Sequence, residues 1–114
     1  MIALDRILSI LLILGGIGHT LGSIHAYKDE PMTLLWSLCA SLFVFTLAAV
    51  NLIRAGRPAD KPLAWTGLLA GLCWIVASLR FGALIGHLFD PRPMIFAVIT
   101  LGLCIFCVRT LSRK

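Results

Sequence analysis

Four long apolar runs, broken by three short clusters of charged, glycine and proline residues, occupy almost the whole chain. They cover residues 4–27, 33–53, 63–89 and 93–111. A bilayer core is crossed by about 20 apolar residues wound as a helix, so each run is long enough to span it. Lipid leaves backbone polar groups only two solutions, the helix and the closed barrel. Barrel strands alternate polar and apolar side chains, and these runs do not. The pattern therefore predicts an all-α, four-transmembrane-helix, up-down-up-down bundle forming a single domain over residues 1–114, with short links favouring antiparallel neighbours. The clusters read as turns. Pro31 is placed to begin a helix, Gly56, Pro58 and Pro62 interrupt the middle connection, and Pro91 and Pro93 mark the last one.

Composition sharpens this picture. Hydrophobic residues make up 60% of the chain and charged residues 13%, with mean hydropathy +1.00, whereas a soluble domain carries about 25% charge. Outside the runs there is no room for a soluble catalytic module, a nucleotide-binding fold or a nucleic-acid reader. The net charge of +5 accordingly reports topology and contact with anionic lipid headgroups, not nucleic-acid binding. With alternating helices, Arg6, Arg54, Arg57, Lys61, Arg109, Arg113 and Lys114 share one side, while Lys28 and Arg92 lie on the other and Arg80 inside the third run. The positive-inside rule then expects an inner or plasma membrane protein with both termini cytoplasmic. The first run, with Asp5 beside Arg6, reads as a retained helix and not a cleaved signal. Trp36 and Trp65 fall near run ends, where indoles favour the interface.

Glycines mark packing faces. Gly15, Gly18, Gly22 and Ala26 fall on one stripe of the first helix, and Gly67 and Gly71, continued by Trp74 and Ser78, on one stripe of the third. In lipid such small residues let backbones approach closely, inside the bundle or between copies. Ala97, Thr100, Cys104 and Cys107 offer a comparable face on the fourth helix. The third run contains Arg80, followed by Gly82, Gly86 and His87. It reads either as one long tilted helix or as a span followed by a short interfacial piece.

One polar residue from each helix falls at a similar depth. His19, Ser41, Arg80 and Thr100 all lie roughly 10–14 Å below the outer helix ends at the helical rise. Polar groups within a membrane are costly and mark functional sites, so this layer is the candidate ligand-binding site. The five acids (Asp5, Asp29, Glu30, Asp60 and Asp90) fall at helix ends or in loops, so Arg80 with His19 would suit an anion, a carboxylate or a lipid phosphate. The competing readings are a snorkelling Arg80 and a His19 packed against a neighbouring serine or carbonyl.

The remaining chemistry is thin. His25 and His87 lie nearer the outer surface and supply two metal ligands at most, so no metal site is expected. No catalytic set appears, and no cofactor is predicted; haem on His19 and a bound lipid are the two that the layout leaves open. Cys104 and Cys107 form C-x-x-C within a span, where cysteine serves as a small apolar-tolerant residue. The fourth-helix C-x-x-C resembles that of the vitamin K epoxide reductases, but their loop cysteines have no counterpart, since Cys39 and Cys73 also lie in spans. In size and layout the chain is similar to the small multidrug resistance transporters. Their first-helix glutamate exchanges protons for cations; here His19 is the polar residue of that helix, so the mechanism does not carry over. The expectation is a small non-catalytic membrane protein, an accessory or scaffold subunit. It would pack through its glycine faces, bind membrane lipid, and form a homo-oligomer or part of a larger membrane complex. The alternatives are an oligomeric transporter or channel for a small anionic or neutral solute, and a redox or haem-binding membrane protein.

Overall fold

The structure, a computed structural model, describes residues 2–113; Lys114, counted among the basic residues of one end, lies outside them. Among the described residues there are four helices: α1 (Ile2–Ala26), α2 (Pro31–Ala55), α3 (Lys61–Leu84) and α4 (Pro91–Leu111). All four are long and apolar enough to cross a membrane, and no strand occurs among the described residues. The bundle measures 51 × 23 × 21 Å. Its long axis exceeds the ~30 Å hydrocarbon core of a bilayer, leaving helix ends and turns for the headgroup regions. Successive helices run antiparallel, so the first turn of α1, the α2–α3 turn and the last turn of α4 share one end, here called the termini end.

The last three helices start earlier than the hydropathy runs because polar residues and prolines begin them. Pro31, Pro62 and Pro91 occupy the first positions of α2, α3 and α4, where the missing N–H costs nothing. Asp60 caps α3 by accepting from Leu63 N (3.0 Å), and Asp90 caps α4 by accepting from Arg92 N (2.9 Å). The third helix is continuous through Arg80 but stops at Leu84, short of residue 89. Gly86 takes φ 79°, Gly86 N donates to Ala83 O (3.2 Å) and His87 N donates to Gly82 O (3.0 Å). That pair of bonds is a Schellman stop, which needs the left-handed conformation that glycine adopts without strain.

The interior is thin. Leu12, Val44, Leu47, Ala48 and Leu103 form the fully buried apolar cluster, with Trp74, Phe96 and Ile99 packed on it. Large apolar side chains such as Leu21, Val76 and Ile105 face outward, more than half exposed, as expected where lipid is the solvent. The α3–α4 seam is made by small residues. Side chains on α4 approach so closely that a Cβ on Gly67 would stand 3.0 Å from Cys107 Sγ, and one on Gly71 only 2.6 Å from Cys104 Sγ.

Candidate functional site

Polar side chains collect at two levels of the bundle. At the upper level, away from the termini, His19 Nδ1 lies 2.9 Å from Ser41 Oγ, and Ser41 Oγ donates to Ser37 O at 3.3 Å. A serine has one hydroxyl hydrogen. When Ser37 receives it, His19 must be the Nδ1–H tautomer donating to Ser41, with Nε2 left as an acceptor. The imidazole is half-buried and meets Phe96 edge-on (centroids 6.3 Å), Phe96 meets Trp74 edge-on (6.0 Å), and Trp74 stacks on Phe43 (5.6 Å).

Thr100 is wholly buried beside Gly71, and its hydroxyl has no hydrogen-bond partner. The Trp74 indole N–H likewise has none. Of the four residues placed in one layer by depth, the structure therefore brings His19 and Ser41 into contact and buries Thr100. Arg80 is exposed on the surface of α3, as are His25 on α1 and His87 in the turn after α3.

The lower level, at the termini end, was not legible from depth counting. Arg54, assigned by its charge to the middle connection, belongs to the last turn of α2 and is only 2% exposed. Its guanidinium is bonded at all three nitrogens. Nη2 donates to Asp5 Oδ1 (2.5 Å), Nε to Asn51 Oδ1 (3.2 Å) and Nη1 to Thr110 Oγ1 (3.3 Å). Asn51 Nδ2 donates back to Leu47 O (2.9 Å), and Cys107 Sγ donates to Asn51 Oδ1 (3.4 Å). Asp5 is buried as well. This network ties α1, α2 and α4 together at one end. A buried ion pair survives desolvation only when its remaining lone pairs and protons are also bonded, and here Asn51 and Thr110 supply those bonds.

Cys104 and Cys107 are both buried free thiols, packed against Gly71 and Gly67 respectively. Among the described residues no three His, Cys, Asp or Glu side chains come close enough to hold a metal ion. The two α1 glycine pairs divide. Gly15 and Gly16 are filled by Phe96 and Phe45, whereas a Cβ on Gly18 or Gly22 would meet nothing within 4 Å. No protein-family model matches the chain, and neither does any curated protein or solved structure.

Proposed function

We propose that this chain is a small non-catalytic scaffold of a lipid bilayer that assembles side by side through the open glycine face of α1. The observation that carries the reading is the contrast among glycines inside helices. Gly15, Gly16, Gly67, Gly71, Gly82 and Gly102 are each met by another part of the chain, and Gly18 and Gly22 are not. These two are four residues apart, on a ridge flanked by the exposed side chains of Leu14 and Leu21. A small-xxx-small pair packs closely against a like pair, so a second copy of this chain is the partner that the face fits. The basic residues at the termini end support placing that end in the cytoplasm of an inner or plasma membrane.

The test is association in the bilayer. Full-length protein labelled with donor and acceptor dyes should show energy transfer in liposomes that Gly22→Leu abolishes while helix content is kept. Undiminished transfer in Gly18→Leu and Gly22→Leu overturns the reading. A second reading, transport of a small anionic or neutral solute, is favoured by the His19–Ser41 pair and the unpartnered Thr100 hydroxyl. It requires solute flux in liposomes that His19→Ala removes.

A further inference from the structure

We infer that the crevice at the termini end binds the phosphate of an anionic phospholipid. The inference rests on the chain being a bilayer protein, but not on the α1 glycine face. The crevice has two adjoining parts. An inner pocket of about 40 Å³ is lined by Asp5, Arg54, Arg109, Arg113 and the apolar Ile2 and Phe106. A wider mouth of about 240 Å³ adds Lys61, and the two parts share Pro58, Thr110 and Arg113.

Its charge is one-sided. Among the described lining residues, the one carboxylate, Asp5, is neutralised by Arg54, and Lys61 and Arg113 add positive charge beyond that pair. Lys61 and Arg113 are exposed and so can reach a ligand entering the mouth. Arginine suits the planar, multi-oxygen phosphate well.

Its position selects the source of the phosphate. The crevice lies where α2 and α4 end and α3 begins, the level at which a spanning bundle meets lipid headgroups. Its wall is partly apolar, through Ile2, Ala55, Pro58 and Phe106. Such a wall gives nothing to a free hydrated ion, but it suits the glycerol backbone and upper acyl carbons attached to a lipid phosphate. Basic pockets between transmembrane helices recognise anionic headgroups by this combination.

The experiment is native mass spectrometry of the full chain in mild detergent containing equal amounts of phosphatidylglycerol and phosphatidylcholine. The wild type should retain phosphatidylglycerol preferentially. Each basic residue near an anionic lipid is worth about fivefold in affinity, so Lys61→Gln with Arg113→Gln should weaken retention about 30-fold. Lys28→Gln with Arg92→Gln removes the same charge at the other end and should leave retention unchanged. Circular dichroism of both variants confirms that the helices persist, and Arg113→Gln alone gives a milder version of the same loss. Equal retention by the two double variants overturns the proposal. So does displacement of the lipid by an equal concentration of inorganic phosphate, which would make a soluble anion the occupant. The same spectra count chains. A monomer that keeps its lipid removes the scaffold reading alone, and a dimer without preferred lipid removes the headgroup site alone.

Discussion

At the scale of single residues, the strongest dependence falls on Asp5 and Arg54. Removing one member of a buried ion pair leaves the other charge desolvated and uncompensated, at about 3–5 kcal/mol. Asp5→Ala should therefore lower the unfolding midpoint of the detergent-solubilised protein sharply. Arg54→Met combined with Asp5→Ala should recover most of the loss, since the apolar replacement needs no partner. A double variant no more stable than Asp5→Ala would show that the pair is not the source of the cost. Both residues were visible in the sequence, but charge alone assigned Asp5 to a helix start and Arg54 to a connection. The missing step was register. In an antiparallel α1–α2 pair, the alignment that sets His19 opposite Ser41 also sets Asp5 opposite Arg54, about four turns nearer the termini. Asn51, an amide one turn before Arg54 within an apolar run, was the further signal. Arg80 went the other way. Its depth matched the layer, but depth says nothing about which side of a helix a residue takes, and the structure puts it outside.

At the scale of elements, the helices themselves were legible because length and apolarity suffice to define a span. Their ends were less so, because they are set by caps. The third helix illustrates this. Hydropathy continues to residue 89, but the Schellman stop at Gly86 ends the helix at Leu84, and a window of apolar residues does not register a left-handed glycine. The turn that follows is fastened by Asp90, which accepts from the Arg92 backbone and also pairs with the Arg92 side chain (Nε at 3.0 Å, Nη2 at 2.9 Å). The Arg92 guanidinium, ahead of the backbone bond, pulls the Asp90 carboxyl down to about 2. A carboxylate with a depressed folded-state pKa lends its stabilisation above its ordinary value of 3.8 and loses it as pH falls toward 2. Exchange of the Arg92 amide hydrogen should thus lose its protection between about pH 4 and pH 2 once corrected for intrinsic rate, and Asp90→Asn should remove that dependence. A pH-independent protection in the wild type would rule the cap out as its cause. The α3–α4 seam yields a companion prediction. A methyl on Gly71 would stand 2.6 Å from Cys104 Sγ, so Gly71→Ala should destabilise by about 1–3 kcal/mol. Gly22→Ala, with open space around it in the interior of α1, should not lower the monomer's thermal midpoint.

At the scale of the whole molecule, one end is fixed by ions and the other by a histidine–serine contact and aromatic rings. The ionic end also carries most of the basic side chains, and that asymmetry bears on how the bundle sits in its membrane. Exposed Arg6, Arg57, Lys61, Arg109 and Arg113 lie at the termini end, against Lys28 in the α1–α2 turn, Arg80 in the last turns of α3 and Arg92 in the first turn of α4 toward the other. Arg54 drops out of this tally because Asp5 neutralises it inside the bundle, yet the bias survives without it. Basic residues near short connections are retained on the cytoplasmic side during insertion, so the orientation proposed above can be tested directly. An impermeant thiol reagent should label Ala59→Cys, in the α2–α3 turn, only when the cytoplasmic face is exposed, as in inverted vesicles. It should label Asp29→Cys, in the α1–α2 turn, only from intact cells. A background variant with Cys39, Cys73, Cys104 and Cys107 replaced by alanine isolates these two signals. Labelling of Ala59→Cys in intact cells would reverse the orientation. It would also move the Arg113–Lys61 crevice to the outer leaflet, where anionic lipid is to be sought by the same competition experiment.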